Sequence, residues 1–170
     1  NAQLCVEDLP DLERRLNAAL AEEVPARVRR RARDVALDFH DRPYYGKQPQ
    51  AQGRWVRGRA KDGTTRFYRV ATAYVMLKGL RVTLAVRFVL PEDSTVAIVE
   101  HLLERLKTLA IPIDRLFLDK GFDGIAVMDY LTCCGQPALI ACTIRGQRGG
   151  TRALCRGNTS YRTPYTFKGE

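Results

Sequence analysis

The chain has 170 residues, which suits one domain or one domain with part of another. Hydrophobic residues make up 45% of it, enough to bury a core, which argues against a disordered chain. The net charge of +9, from 28 Lys and Arg against 19 Asp and Glu, favours a polyanionic partner such as nucleic acid.

Several protein classes are disfavoured by what the sequence lacks. No apolar run approaches the roughly 20 residues of a membrane span, and no signal-peptide pattern is present. The five cysteines form no Cys-x-x-Cys motif, and with His40 and His101 as the only histidines a zinc site is not expected. We expect reduced, partly buried thiols in a cytosolic protein. The chain begins without Met and stops just after the strand-like YTFKGE, so we expect a fragment.

The first half of the chain predicts a helix and then strands. Residues 8–24 form the helix, with an acid at its N-cap, an early proline and leucines at helical spacing. The arginine-rich PARVRRRAR follows, either as a solvated face or as a nucleic-acid contact. DVALDF is a strand, and PYYGKQPQAQGR is a loop. TRFYRVATAYVML and RVTLAVRFVL form a hairpin that turns at Lys78 and Gly79.

The second half predicts helices alternating with strands. Ser94 caps the helix STVAIVEHLLERLKTLA, and the short strand DRLFLD comes next. DGIAVMDYLTCCG is a helix ending at Gly135, and PALIACTI is a strand. The Gly-, Arg- and Thr-rich segment after Arg145 is predicted to enter an inserted β-rich piece.

The resulting order, β-β-β-α-β-α-β after an N-terminal helix, predicts an α/β fold with a mixed sheet. This order matches the RNase H-like fold, in which the first and fourth strands are neighbours. We divide the chain into an N-terminal helix and basic linker (1–33), an RNase H-like catalytic core (34–145) and the start of the β-rich insertion (146–170).

The predicted topology brings two aspartates together as a candidate metal site. Asp38 lies near the end of the first strand and Asp119 ends the fourth, so the two carboxylates are expected to meet at one edge of the sheet. Adjacent carboxylates repel each other unless a cation such as Mg²⁺ lies between them. The alternative is that both acids are loop-facing caps. Of the two other acids in these turns, Asp41 is expected to form a turn beside Pro43, and Asp123 to cap the following helix.

Three motifs in order resemble the insertion-sequence transposases of the DDE superfamily. ALDFHDRPYYGK resembles the first-aspartate motif of one branch, in which Pro-Tyr-Tyr-Gly follows the acid. AKDGTTRFYRVATAYVMLKGLRVTLAV resembles the segment after it, and LFLDKGFDG the second-aspartate motif. The likeness covers roughly residues 34–149. The chain departs from the family at His40 (commonly a hydroxyl residue), Lys120 (usually arginine) and Asp123 (usually aromatic).

The resemblance implies a metal-dependent enzyme that cuts transposon ends and joins them to target DNA. Asp38 and Asp119 would be catalytic, metal-binding acids for Mg²⁺ or Mn²⁺. The partners would be double-stranded DNA and a second copy of the chain, since such transposases generally act as dimers. The location would be the prokaryotic cytoplasm, at the nucleoid. The family's third acid, a glutamate on a later helix, is expected beyond Glu170.

Basic and aromatic residues near these motifs are the candidate DNA contacts. The arginines and lysines form one cluster around Trp55 and the KDGTT turn, and another in the glycine-rich stretch after Arg145. Two tyrosines of the PYYG turn either stack on a displaced base or pack under the loop. The candidates are Tyr44, Tyr45, Lys47, Arg59, Lys61, Lys120, Arg145 and Arg148.

Two other functions stay open. In an RNase H-like nuclease, Glu100 on the helix before Asp119 would complete the site, unless it pairs with Lys107 or Arg105 on the exposed face. In a non-catalytic transposase remnant, the chain would bind DNA without cutting it.

Overall fold

The structure, a computed structural model, describes residues 8–46, 54–146, 150–155, 157 and 160–164. Within these ranges the α-helices are Leu9–Glu23 (α1), Ala26–Arg29 (α2), Thr95–Thr108 (α3) and Ile125–Cys133 (α4). The strands are Arg33–Pro43 (β1), Val56–Lys61 (β2), Thr64–Leu77 (β3), Leu80–Val89 (β4), Ile113–Leu118 (β5) and Ala138–Ile140 (β6). Two 3₁₀ turns span Lys120–Phe122 and Gly150–Leu154.

The strands form one mixed sheet, so the predicted α/β class is confirmed. Its order is β2-β3-β1-β5-β6, and β4 also pairs with β3. β1, β5 and β6 are parallel, whereas β3 runs antiparallel to β1, β2 and β4. Strand β1 pairs with one edge of β3. Both β2 and β4 pair with the other edge, β2 near the start of β3 and β4 along the rest of it.

The structure confirms the predicted β3–β4 turn and the cap of α3, but it adds one strand and lengthens the first. The hairpin between β3 and β4 turns at Lys78 and Gly79, and the Ser94 side chain caps α3 by accepting a hydrogen bond from Ala97 N. Strand β2 was missed, because its basic residues hide the usual apolar alternation. The first strand also continues past Asp38 to Pro43, so Asp38 lies in mid-strand.

Helix α1 docks on the sheet through polar side chains rather than through its leucines alone. Leu16 is 41% exposed, whereas Glu13 and Asn17 are 6% and 2% exposed. The Asn17 amide donates to Val86 O and accepts from Val86 N, both at 2.9 Å, and Glu13 Oε2 accepts from Phe88 N at 2.7 Å. These bonds satisfy backbone groups along the outer edge of β4, so another strand cannot pair with that edge there.

One hydrophobic core fixes which face of β1 carries the candidate acid. Val35 and Leu37 of β1 are buried in the core, together with Leu102 and Leu106 of α3. Since side chains alternate along a strand, Asp38 lies on the opposite face.

The C-terminal part of the chain after residue 146 is described in short stretches. Among those residues a 3₁₀ turn spans Gly150–Leu154, and the expected β-rich piece stays a prediction. The division into three parts stays a prediction. Cys133, Cys134, Cys142 and Cys155 are free, as expected, but they are exposed rather than partly buried. In the described ranges, no helix is long and apolar enough to cross a membrane.

Candidate metal and DNA site

The register of β1 and β5 brings the two predicted metal ligands side by side. The parallel pairing ends at Leu37 opposite Leu118, and the next residue on each strand is Asp38 or Asp119. Neighbouring strands lie about 4.8 Å apart, so both aspartates extend from adjacent positions at one edge of the paired region. Asp38 is partly open to solvent, with 32% of its side chain exposed. Hard cations prefer carboxylate ligands, so these adjacent positions form a candidate cation site.

Asp38 is bordered by a small polar cluster on its own face of the sheet. Asp38 Oδ2 lies 3.6 Å from His40 Nε2, which lies 3.2 Å from Thr72 Oγ1. Arg81 Nη2 donates to Thr72 Oγ1 at 2.9 Å and also lies 2.9 Å from His40 Nε2. A guanidinium can only donate, so this contact requires an unprotonated Nε2. His40 is therefore held by Arg81 beside the carboxylate.

Asp119 is fixed by the tight turn that follows β5. Its Oδ1 accepts a hydrogen bond from Gly121 N at 2.7 Å. Buried Phe122 stacks on Phe39 of β1, with ring centroids 4.2 Å apart. A Cβ on Gly121 would lie 2.8 Å from both the Phe39 ring and Asp119 Oδ1, so the turn needs glycine there. The sequence KGF thus orients Asp119 and leaves its second carboxylate oxygen available for a cation.

The expected role of Asp41 in a turn is wrong. Asp41 lies within β1 and accepts two hydrogen bonds from Arg69, at 2.6 and 2.7 Å. This bidentate pair raises the pKa of Arg69, and the nearby Asp119 carboxylate adds to the rise. Arg69 also lies over the Phe39 ring, 5.1 Å from its centroid. A fixed cation therefore lies near the candidate metal site, and sequence reasoning missed it because only the register of β1 with β3 sets Arg69 opposite Asp41.

The expected role of Asp123 as a helix cap is also wrong. Gly124 occupies the N-cap position of α4, and no side chain caps it there. The Asp123 side chain is 1% exposed, and its Oδ2 accepts a hydrogen bond from Thr143 N at 2.9 Å and lies 3.5 Å from Arg145. Burial and the Asp123 carboxylate raise the pKa of the Cys142 thiol. Asp123 therefore anchors the chain that follows β6.

The two tyrosines of the PYYG turn contact the hairpin between β2 and β3. Tyr45 is 67% exposed, yet its hydroxyl donates to Asp62 O at 2.7 Å. Tyr44 contacts Tyr68 edge-on, with ring centroids 5.1 Å apart. Of the two roles left open from the sequence, packing has direct support in these contacts.

The basic candidates fall into different places. Arg59 and Lys61 are exposed on β2, and Lys120 is exposed in the turn after Asp119. Arg145 instead lies against buried Asp123. Lys47 and Arg148 lie outside the described residues.

Glu100 does not join the two aspartates. It is exposed on α3, where it and Glu104 interact with Tyr130 of α4. Burial and a hydrogen bond to Cys134 raise the pKa of Tyr130 to about 12, and the two glutamates contribute to that rise. In the part of the chain that the structure describes, no group of three His, Cys, Asp or Glu side chains is placed to hold a metal ion. Among the described residues, the acids at the candidate site are therefore Asp38 and Asp119, without a third.

Sequence comparisons gave no family for the chain. No protein-family model matches it, no curated protein matches it, and no solved structure matches it.

Proposed function

We propose that the chain is the catalytic core of a DDE-type DNA transposase, a metal-dependent enzyme that cuts and joins DNA strands. The observation that carries the proposal is the parallel register of Leu37 with Leu118, which places Asp38 beside Asp119. The strand arrangement supports an RNase H-like fold, because β1 and β5, the first and fourth of the strands predicted from sequence, are neighbours.

The residues at the site fit a divalent cation. Mg²⁺ is commonly bound by one or two carboxylates, with water and substrate phosphate oxygens completing its coordination. Asp38 and Asp119 would hold it, and the Gly121 N–H would keep the Asp119 carboxylate oriented. When bound, such an ion activates a hydroxyl nucleophile and stabilises the leaving oxygen of a phosphodiester.

The chain's own residues would position the DNA strand around that ion. Exposed Lys120 follows Asp119 directly and would contact a phosphate there. Arg81 and His40 form a polar wall beside Asp38 and would orient the sugar-phosphate backbone. Arg69, held by Asp41, would offset part of the negative charge near Asp119.

The third acid of the family is not among the described residues near the pair. The resemblance places it on a later helix, and the sheet face that presents Asp38 offers an apolar surface for such a helix. Phe117 and Leu139 are 38% and 52% exposed, and the register aligns them with Ala36 and Tyr74 across four strands. A helix packed there would bring its side chains close to Asp38.

The other two candidate functions have less support. An RNase H-like nuclease using Glu100 is disfavoured because, among the described residues, Glu100 forms no three-acid group with Asp38 and Asp119. A non-catalytic remnant would share the fold and the basic surface, so it differs from a transposase only in metal binding and chemistry.

Metal binding by the aspartate pair is the direct test. We expect the protein to bind Mn²⁺, followed by electron paramagnetic resonance. Nicking of supercoiled plasmid in Mn²⁺ or Mg²⁺ is expected of a chain that also carries the family's third acid. Asp38→Asn and Asp119→Asn should each weaken Mn²⁺ binding at least about tenfold and abolish nicking, because each removes one carboxylate of the site.

Two exposed acids on the same strands provide matched controls. Asp34 lies on β1 and Asp114 on β5, both toward the other end of the paired region. Asp34→Asn and Asp114→Asn should leave Mn²⁺ affinity unchanged. Equal Mn²⁺ affinity in all four variants would rule out the pair as a metal site, and Mn²⁺ binding without nicking by a chain that also carries the third acid would favour the remnant.

A further inference from the structure

The hairpin of β2 with the start of β3 has one apolar face and one cationic face. We call residues 56–67 the basic arm. Its strands meet at Asp62 and Gly63, both with positive φ (51° and 76°), as in a two-residue hairpin turn. Val56 pairs with Phe67, which is 1% exposed, and a Cβ on Gly58 would lie 3.1 Å from the Phe67 ring. This face of the arm therefore packs inward.

The other face of the basic arm carries three cations, and a fourth is exposed beside them. Arg57 pairs directly with Arg66, so both lie on the face opposite Val56 and Phe67. Lys61 pairs with Thr64, which is two residues from Arg66 on β3, so Lys61 shares that face. Exposed Arg59 lies where the register of β2 shifts between Arg57 and Lys61. Among the described residues none of these four forms an ion pair, although Arg69, farther along β3, is paired with Asp41. Like charges directly opposite each other on a hairpin are destabilising, which an external polyanion would relieve.

The turn after β1 holds the basic arm in place. Tyr44 N donates to Arg66 O at 2.9 Å, and Thr64 Oγ1 donates to Tyr44 O at 3.0 Å. At the tip, the Tyr45 hydroxyl donates to Asp62 O at 2.7 Å. The β3 strand and the tip of the arm are thus fixed to the residues that follow the strand carrying Asp38.

The cationic face of the arm leads along the sheet toward the aspartate pair. Arg66 and Thr72 of β3 are an even number of residues apart, so they lie on one face, and Thr72 pairs with Asp38. Six residues of strand span about 20 Å. The arm therefore lies about 20 Å from Asp38 on the same face of the sheet.

We infer that the basic arm docks on the backbone of duplex DNA and that Tyr45 is a positioning residue that holds the arm at its distance from Asp38. The inference takes its partner from the proposed function. A two-stranded β-ribbon fits the major groove, and the four exposed cations of the arm can contact the phosphates that border the groove. Single-strand binding instead relies on free aromatic faces for stacking. On this face of the arm Trp55 already lies under Arg66, 5.0 Å from its ring centroid.

The test compares two triple variants that remove the same charge. The arm variant is Arg57→Gln with Arg59→Gln and Lys61→Gln. The control changes three exposed cations outside the arm: Lys78→Gln, Lys107→Gln and Arg115→Gln. Binding to a duplex of about 30 base pairs, roughly three helical turns, and to one of its single strands is measured by fluorescence anisotropy between about 50 and 200 mM KCl.

We expect the arm variant to lose at least tenfold in duplex affinity. Its slope of log K against log salt should fall by about 2 to 3, because each lost phosphate contact removes about 0.9. The control should change the slope by less than 1. The inference would be overturned if the arm variant lost no duplex affinity or if both triple variants lost the same amount. It would also be overturned if the wild type bound the single strand more tightly than the duplex, or did not bind the duplex.

Tyr45→Phe tests the positioning role, since it keeps the ring and removes the hydroxyl. Amide hydrogen exchange across residues 57–66 should quicken, and duplex affinity should fall about threefold with the salt slope unchanged. Unchanged exchange and affinity would overturn the positioning role. Mn²⁺ affinity separates the two proposals: it should stay at the wild-type value in all arm variants, so failure of the arm leaves the metal site standing.

Discussion

Two groups of acids among the described residues differ in their partners. Glu13, Asp41 and Asp93 each accept from an arginine at 3.3 Å or less, and Glu13 and Asp93 also accept from backbone N–H groups of β4 or the residue after it. Asp38 and Asp119 lie beside each other without an arginine partner among the described ion pairs. A structural carboxylate is satisfied by the fold, whereas a functional one keeps oxygens free for a ligand.

Glu13 shows how complete the satisfaction of a structural acid is. It lies on α1 and contacts β4 through Arg87 and Phe88 N, at 3.3 and 2.7 Å. Its Oε1 also lies 3.1 Å from His101 Nε2 of α3, although that contact departs from hydrogen-bonding geometry. Three elements thus converge on one buried carboxylate, so its loss would loosen all three.

The largest effect on stability is expected from Glu13→Gln. The amide keeps the size of the side chain, but it removes the negative charge that Arg87 faces and places an NH₂ against one of the donors. We expect the free energy of unfolding to fall by about 2 kcal/mol, measured by urea denaturation at neutral pH.

Glu22→Gln is the matched control on the same helix, because Glu22 is exposed. It should change the free energy of unfolding by less than about 0.5 kcal/mol. If Glu13→Gln is as mild as Glu22→Gln, the comparison between paired and free acids fails.

A smaller, pH-dependent effect follows from the same carboxylate. Burial opposes its ionisation, but His101, the Phe88 N–H and Arg87 outweigh burial and hold the pKa of Glu13 below its usual value. A lowered pKa contributes stability that is full above about pH 4.5 and is lost as the pH falls through the folded-state pKa. The stability difference between the wild type and Glu13→Gln should therefore shrink as the pH is lowered from about 5 to 3. A difference that stays constant over this range would contradict the assignment.

The sequence predicted the parts of the fold that rest on local patterns. The β3–β4 hairpin, the Ser94 cap and the strand before Asp119 follow from alternation, capping residues and turn residues. The place of Asp38 next to Asp119 needed a topological step, since the two lie on strands far apart in the chain.

The sequence could not predict contacts between polar residues distant in the chain. The leucine spacing of α1 suggested an apolar docking face, yet Glu13 and Asn17 make the docking bonds because the edge of β4 offers backbone groups to pair. Asp41 looked like a turn residue beside Pro43, and only the register with β3 shows that it faces Arg69. Strand β2 was missed because its basic residues replace the apolar residues whose alternation marks a strand.

The smallest change in the free energy of unfolding is expected at the aspartate pair. The sign of this change distinguishes these acids from the acids that are bonded within the fold. Asp38→Asn removes one of two neighbouring negative charges, so without metal the free energy of unfolding should stay within about 0.5 kcal/mol of wild type or rise. Saturating Mn²⁺ should raise the melting temperature of the wild type and not of the variant, because a ligand stabilises only the state that binds it. Thermal unfolding with and without Mn²⁺ measures both, with Asp34→Asn as the control that keeps the Mn²⁺ response. A large loss of stability in metal-free Asp38→Asn would place Asp38 with the structural acids instead, because only a carboxylate already bonded within the fold stabilises it without a cation.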